Sequence, residues 1–163
     1  MTTPLGELPT WAIVVANVAF WAVVHAGTGY LVHRLPSARL DEDGWLWRAR
    51  RVERGGRLYE RLRIRSWKDR LPEAGALFAG GTSKRHLPDR STEGLERFAV
   101  ETRRAELGHW LALVAAPIAI AWNPPAGAVA MVAYGVLVNA PFIAIQRYNR
   151  QRLQRILTRR GHR

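Results

Sequence analysis

Three long apolar segments stand out in an otherwise polar chain. Residues 10–32 and 126–145 contain no formally charged side chain over 23 and 20 positions, and residues 107–122 contain none over 16. A helix needs about 20 mainly apolar residues to cross about 30 Å of hydrocarbon. The pattern therefore predicts an all-α integral membrane protein with about three transmembrane helices, of which the middle one is short.

The tripeptide Asn-Pro-Pro at 123–125 separates the second and third apolar segments. A proline disfavours helical geometry in the residue before it, so we expect a tight hairpin between the helices 107–122 and 126–145. Pro117 and Pro141 lie inside these two segments. Each is expected to kink its helix, because proline removes a backbone hydrogen bond.

The length predicts a single domain, 1–163, and the charge distribution predicts its orientation in the membrane. Residues 33–106 form a basic region with 18 Lys/Arg and 12 Asp/Glu, and residues 146–163 form a basic tail with 7 Arg and no acid. Basic segments next to membrane helices favour the cytoplasmic side. We therefore expect a multi-pass protein of the cell membrane, with its N-terminus outside and its C-terminus in the cytoplasm.

The first apolar segment has a second interpretation, as a cleaved signal peptide. No Lys or Arg precedes it, and it is longer than the apolar core of a signal peptide. Both properties favour a membrane anchor.

The composition of the basic region indicates which partners the protein binds. Its arginines are accompanied by Trp45, Trp47 and Trp67, a mixture that suits the headgroup layer of anionic membrane lipid. Nucleic acid is not an expected partner, because a soluble nucleic-acid module has no need of long apolar segments. Residues 45–71 are predicted to be mainly helical, with a strand as the alternative. The segment 75–85 resembles a phosphate loop only weakly, because it lacks the lysine of that motif.

The segment "ETRRAELGHW", residues 101–110, places several ionisable groups directly before an apolar run. On a helix, Glu106 and His109 fall on one face at a spacing of three. A carboxylate beside an imidazole orients the ring for general base catalysis. The alternative is that the charged residues form helix ion pairs at the membrane interface while His109 reaches water.

Polar residues also interrupt the third apolar segment. Asn139, Gln146 and Arg150 lie along one helical face, and the hairpin would bring this face next to Glu106 and His109. Polar groups within a membrane helix are costly and are therefore candidates for function. Hydrogen bonding that only holds the hairpin together is the alternative. A single Glu-x-x-His pair falls short of a di-iron site, so no metal is expected.

Three blocks of sequence resemble a known family. "ETRRAELGHW", "WKDRLP" at 67–72 and "NAPFIAIQRYNRQRLQRILTRRGHR" at 139–163 are similar to the small bacterial membrane acyltransferases of glycosyl-4,4'-diaponeurosporenoate, which complete staphyloxanthin-type carotenoids. The resemblance implies esterification of a fatty acyl group onto the sugar 6-hydroxyl of a glycosylated C30 carotenoid at the cytoplasmic membrane.

Taken together, these patterns predict a membrane O-acyltransferase that acts on a glycosylated carotenoid or a related glycolipid. His109 is expected to be the general base and Glu106 to orient it, and Asn139 or Gln146 would bind the carbonyl oxygen as charge develops. Substrate binding is assigned to Glu101, Arg104, Trp110, Arg147, Tyr148, Asn149 and Arg150. Three of these, the arginines, would hold the anionic part of an acyl thioester donor such as acyl-CoA.

No cofactor beyond that donor is expected. A non-catalytic membrane scaffold subunit that binds anionic lipid and biosynthetic enzymes remains the alternative function.

Overall fold

The computed structural model describes residues 2–41, 44–71 and 91–161, and most of them are helical. The α-helices are α1 (Thr10–His33), α2 (Ala38–Asp41), α3 (Arg57–Arg61), α4 (Ile64–Trp67), α5 (Thr92–Ala115) and α6 (Pro125–Gly161). Turns of 3-10 helix cover Arg51–Gly56, Lys68–Arg70 and Ala116–Ala121, and two-residue strands β1 (Thr2–Thr3) and β2 (Gly6–Glu7) pair antiparallel. The predicted all-α class is therefore confirmed.

The chain divides into two compact units. Unit 1 comprises Met1–Arg34 and Leu107–Ile143, and unit 2 comprises Leu35–Glu106 and Ala144–Arg163. Helices α5 and α6 each contribute residues to both units. The segment 75–85, compared above with a phosphate loop, lies outside the described residues.

Among the described residues, two helices are long and apolar enough to cross a membrane, Thr10–His33 and Pro125–Arg160. They contain the first and third predicted membrane segments. The middle segment differs from the prediction, because residues 107–115 are the end of the longer helix α5 and the chain continues as 3-10 helix from Ala116. Pro117 lies at this change of helix type, where its missing N–H is tolerated. A third membrane crossing stays a prediction.

Helix α1 has apolar residues on every face. Ile13, Trp21 and Val32 are buried in unit 1, whereas Val14 and Val18 are exposed. A helix that is apolar all round is typical either of a buried core helix or of a membrane span. Since most of α1 is uncovered by protein, its composition favours contact with lipid.

The hairpin predicted around residues 123–125 is present in unit 1. Asn123 is almost completely buried, and its Nδ2 donates to Asn17 Oδ1 and to the carbonyl of Ala119, at 2.8 Å in both cases. Trp122 Nε1 also donates to Asn17 Oδ1, at 2.8 Å. Pro125 then begins α6 at a position where a helix has no use for the N–H.

Small residues allow the two arms of the hairpin to approach closely. Trp21, Ala116, Ala119 and Met131 form the apolar core of unit 1. A Cβ placed on Gly135 would lie 2.9 Å from the Cβ of Ala116 and 2.9 Å from Trp21 Cη2. Glycine at position 135 therefore permits backbone contact, as small residues do in membrane helix pairs.

Replacement of Gly135 by alanine is expected to loosen the hairpin. The added methyl group must push against Ala116 and Trp21, and overpacking of this kind costs about 1–3 kcal/mol. Thermal unfolding of the purified protein in detergent measures the effect. The control is Gly27→Ala on α1, where the new Cβ would meet nothing within 4 Å. If Gly135→Ala unfolds at or above the wild-type temperature while Gly27→Ala does the same, the close approach is refuted.

Unit 2 is built on the C-terminal half of α6, which was predicted only as a basic tail. Leu153 packs with Leu95 and Phe98 of α5, and Ile145 packs with Tyr59 and Ile64. The helix continues without interruption through Pro141 to Gly161, so the kink at Pro141 stays a prediction. The predicted helical character of residues 45–71 is confirmed as short helices, and Gly56 takes a left-handed conformation at the start of α3.

Helix α5 begins at Thr92, well before the predicted membrane helix 107–122. Ser91 precedes its first residue, and Ser91 Oγ accepts a hydrogen bond from the backbone N–H of Gly94 at 3.0 Å. This bond satisfies one of the donors that every helix start leaves unpaired. Residues 92–106 of α5 thereby provide the side chains that unit 2 buries against α6.

Candidate active site

His109 and Asn139 meet across the hairpin of unit 1. His109 lies on α5 and Asn139 on α6, and His109 Nδ1 is 3.0 Å from Asn139 Oδ1. Asn139 is fully buried, and its Nδ2 donates to the carbonyl of Gly135 at 2.9 Å. The polar face predicted on the third segment therefore contributes a residue that contacts His109.

The bond from Asn139 to Gly135 determines which nitrogen of His109 carries the proton. A carbonyl oxygen only accepts, so the amide nitrogen of Asn139 must face Gly135 and the amide oxygen must face the imidazole. His109 Nδ1 is then the donor in the neutral ring, and Nε2 carries the lone pair. A histidine that acts as a general base through Nε2 needs this tautomer, in which Nδ1–H is bonded to an acceptor.

Phe142 fixes the plane of the imidazole. Its ring stacks on that of His109, with centroids 4.7 Å apart and planes 9° from parallel. His109 itself is only half-buried. The ring is thus held by a hydrogen bond and by a stacked neighbour while part of it remains accessible.

Glu106 was predicted to orient His109, and its described bonds are to two arginines of α6. Its oxygens accept from Arg147 Nε at 2.6 Å and from Arg150 Nη1 at 2.7 Å, and all three residues are buried in unit 2. The described hydrogen bond of His109 Nδ1 is to Asn139. Asn139 therefore contributes an orienting contact to the imidazole, and the orienting role of Glu106 stays a prediction.

A second buried carboxylate, Glu53, completes the charge cluster in unit 2. Glu53 accepts from Tyr59 Oη at 2.6 Å, from Arg147 Nη1 at 2.6 Å and from Gln151 Nε2 at 2.7 Å, and the backbone N–H of Arg50 adds a bond at 2.9 Å. Burial alone would raise the pKa of Glu53, but these hydrogen bonds and the charge of Arg147 hold that pKa below its ordinary value. Burial, together with the bond to Glu53, raises the pKa of Tyr59.

The cluster is balanced in charge. It contains two carboxylates, Glu53 and Glu106, and two guanidinium groups, Arg147 and Arg150. Two further arginine atoms donate to backbone oxygens, Arg147 Nη2 to that of Leu46 at 2.6 Å and Arg150 Nη2 to that of Trp47 at 3.3 Å. Buried charges require this degree of pairing, because each is otherwise costly to remove from water.

Sequence reasoning did not identify Glu53. It lies in an arginine-rich segment without an apolar period, and nothing in its neighbourhood distinguishes it from the exposed acids. Its hydrogen bonds with Arg147 and Gln151 of α6 place it in the ionic cluster.

The other predicted substrate-binding residues occupy separate places. Arg104 Nε bonds Glu101 at 3.0 Å, and its Nη1 donates to the carbonyl of Leu35 at 2.7 Å, so it holds the segment after α1 within unit 2. Tyr148 packs beside the apolar cluster of Tyr59 and Ile64. The remaining two, Trp110 in unit 1 and Asn149 in unit 2, are half-buried.

Gln146 is buried in unit 2, and its Oε1 has no hydrogen-bond partner among the described residues. An unpaired buried amide oxygen is uncommon in native structures. Within residues 2–41, 44–71 and 91–161, no three His, Asp or Glu side chains come together in a way that could hold a metal ion. The predicted roles in binding substrate and carbonyl oxygen stay predictions.

The fold and the site define a class, namely helical proteins with membrane-length apolar helices and a histidine held by a hydrogen bond and a stacked ring. Comparison with known sequences identifies one family within this class. The chain belongs to the glycosyl-4,4'-diaponeurosporenoate acyltransferase family, CrtO, whose model matches residues 43–159. The protein is therefore an acyltransferase, and the resemblance found in the sequence is confirmed.

Curated relatives support the assignment over nearly the whole chain. The glycosyl-4,4'-diaponeurosporenoate acyltransferase of Staphylococcus aureus strain N315 is 31% identical over 150 residues, which cover 88% of this chain and 89% of the relative. The proteins of the same name from strains USA300 and RF122 are each 30% identical over 149 residues, with the same coverage. No solved structure matches the chain.

Proposed function

We propose that this protein transfers a fatty acyl group from a thioester donor to a sugar hydroxyl of a glycosylated carotenoid or a related glycolipid. The membership of the family and the printed name of the relatives support the acceptor class. Two apolar helices of membrane length support a reaction at a bilayer, where such an acceptor would dissolve with its sugar at the interface. The donor is expected to be soluble or carried by a soluble protein.

The hydrogen bond between His109 and Asn139 carries the proposal for the chemistry. As the sugar oxygen attacks the thioester carbonyl carbon, Nε2 of His109 takes the hydroxyl proton. The carbon–sulfur bond then breaks, and the imidazolium returns that proton to the departing thiolate. The products are the sugar ester and a free thiol, so no oxidant, reductant or covalent enzyme intermediate is needed.

Asn139 acts on this reaction as a positioning residue. Its amide oxygen stabilises the imidazolium that forms when Nε2 is protonated and keeps the ring in one orientation. Gln146 stays the proposed donor to the carbonyl oxygen.

In this proposal, the buried ionic cluster stabilises the fold of unit 2. Arg147 and Arg150 already bind Glu106 and backbone oxygens, and a donor anion would have to displace these partners. We propose that the two arginines stabilise unit 2, and their predicted contact with the donor anion stays a prediction. Arg104, Glu101, Trp110, Tyr148 and Asn149 remain proposed contacts to substrate.

The proposed topology places the N-terminus outside and the basic C-terminal region in the cytoplasm, in a multi-pass arrangement. The excess of arginine in residues 146–163 supports this orientation, because basic segments are retained on the cytoplasmic side. The same surface would bind anionic lipid.

Reconstitution tests the proposed function directly. The purified chain in lipid nanodiscs is incubated with a glycosylated carotenoid and a fatty acyl-CoA, and the lipid extract is analysed by mass spectrometry. We expect a product heavier than the acceptor by one fatty acyl group less the hydroxyl hydrogen that this group replaces. A scaffold subunit would form no product without a second enzyme, so failure of the purified chain to acylate any glycosylated terpenoid or glycolipid would refute the catalytic proposal.

A further inference from the structure

A cleft of about 360 Å³ lies on the surface of unit 2, and one of its lining residues, Gln151, also bonds Glu53 of the ionic cluster. Its volume is within the range of small-molecule sites, about 300–1,000 Å³. Gln151, Arg155, Thr158 and Arg159 line it from one face of α6. A smaller adjoining cavity of about 150 Å³ shares Gln151 and Arg155 with it.

Gln151, which lines this cleft, carries a buried hydrogen-bond acceptor. Its Nε2 donates to the carboxylate of Glu53 at 2.7 Å, which fixes the amide with Oε1 turned away from that carboxylate. The residue is 9% exposed, and Oε1 has no hydrogen-bond partner among the described residues. A ligand hydroxyl or amide N–H would satisfy this oxygen, which otherwise carries the cost of an unpaired buried group.

Two arginines supply positively charged hydrogen-bond donors at the same cleft. Arg155 and Arg159 are one helical turn apart, so their guanidinium groups project from the same side of α6. The described ion pair of Arg155 is an exposed one with Glu60, at 3.3 Å, and pairs of this kind are weak. An incoming phosphate can therefore compete for Arg155, and a guanidinium fork binds phosphate in a bidentate way.

Gly56 lets these side chains approach the backbone. Its φ is 97°, and a Cβ at this position would lie 2.6 Å from Arg155 Nη2 and 3.0 Å from Gln151 Oε1. Any side chain here would be strained and would displace Arg155 or Gln151. The glycine thus preserves the arrangement of donors and acceptor.

We propose that this cleft binds the phosphopantetheine arm of the acyl thioester donor. The arm combines a phosphate, suited to Arg155 and Arg159, with hydroxyl and amide N–H groups, suited to Gln151 Oε1. The inference rests on the proposed function only in taking the donor to be a thioester. The arm is common to coenzyme A and to acyl carrier protein.

Equilibrium binding tests the proposal without turnover. The full chain in neutral-lipid nanodiscs is titrated with coenzyme A, with holo acyl carrier protein and with apo acyl carrier protein, which lacks the arm. We expect the double variant Arg155→Gln/Arg159→Gln to weaken binding of the arm by about tenfold or more. The matched control is Arg61→Gln/Arg65→Gln, which removes the same charge from exposed positions of unit 2 outside the cleft.

The ligands distinguish the possible sources of the arm. Binding of coenzyme A alone, or of holo but not apo acyl carrier protein, supports the proposal and identifies the donor. Equal weakening in the control variant, or no weakening in either, overturns it. Inorganic phosphate and phosphatidylglycerol vesicles are tested as further ligands. If the double variant weakens only their binding, the proposal is overturned, because the cleft would then be a general anion or headgroup site. Arginine-dependent binding by a chain that forms no acylated product would instead reject the proposed function and keep the cleft.

Discussion

We expect the replacement of His109 by glutamine to lower acyl-transfer turnover by about 10²–10⁴-fold, the usual contribution of a positioned general base. Glutamine keeps a polar side chain opposite Asn139 but cannot take a proton from the sugar hydroxyl. Initial rates in nanodiscs, measured over a range of acceptor concentrations, give kcat and KM separately. The loss should fall on kcat, because the imidazole acts on the reacting proton and not on substrate binding.

Two further variants show whether the effect belongs to the histidine pair. Asn139→Ala removes one hydrogen bond, worth about 0.5–1.5 kcal/mol, and should lower kcat by about two- to tenfold with little change in KM. His25→Gln changes a histidine of the same unit, stacked on Trp21 at 5.4 Å, and should leave kcat unchanged. An His109→Gln protein that is present at wild-type amounts and retains its turnover would remove His109 from the mechanism.

The contact between His109 and Asn139 could be anticipated from the sequence for a physical reason. A polar residue within an apolar helix must find a partner, and the Asn-Pro-Pro break at 123–125 leaves the opposite arm of the hairpin as the nearest source of one. The antiparallel geometry then places residue 109 beside residue 139. What the sequence could not show is that Asn139 would also be tied to the Gly135 carbonyl, which settles the tautomer.

The ionic cluster of unit 2 was less predictable. The spacing of Glu106 and His109 on one helix permits contact but does not select it over arginines from another helix. The packing of the C-terminal part of α6 was not predicted, because residues 146–163 are so rich in arginine that they resemble a solvated tail. Ile145, Leu153 and Ile156 do recur at helical intervals there, and this weak apolar period is the signal that the charges obscured.

Replacement of Glu106 by glutamine is expected to destabilise the protein by about 3–5 kcal/mol, the usual effect of breaking a buried ion pair. Glu106 is fully buried and receives hydrogen bonds from both Arg147 and Arg150. Glutamine occupies the same volume but removes the charge, and its amide nitrogen would face one of the two guanidinium groups. A buried cation then loses its partner. Thermal unfolding in detergent, followed by intrinsic tryptophan fluorescence, measures the effect.

The matched control is Glu93→Gln on the same helix, where the carboxylate pairs with Arg97 at 2.9 Å and both side chains are exposed. A surface pair contributes about 0–1 kcal/mol, so this variant should unfold close to the wild-type temperature. Equal stabilities of the two variants would show that Glu106 is not paired in a buried site. If instead Glu106→Gln retains wild-type stability but loses turnover, Glu106 acts on the reaction, and the orienting role predicted from its spacing to His109 would be supported.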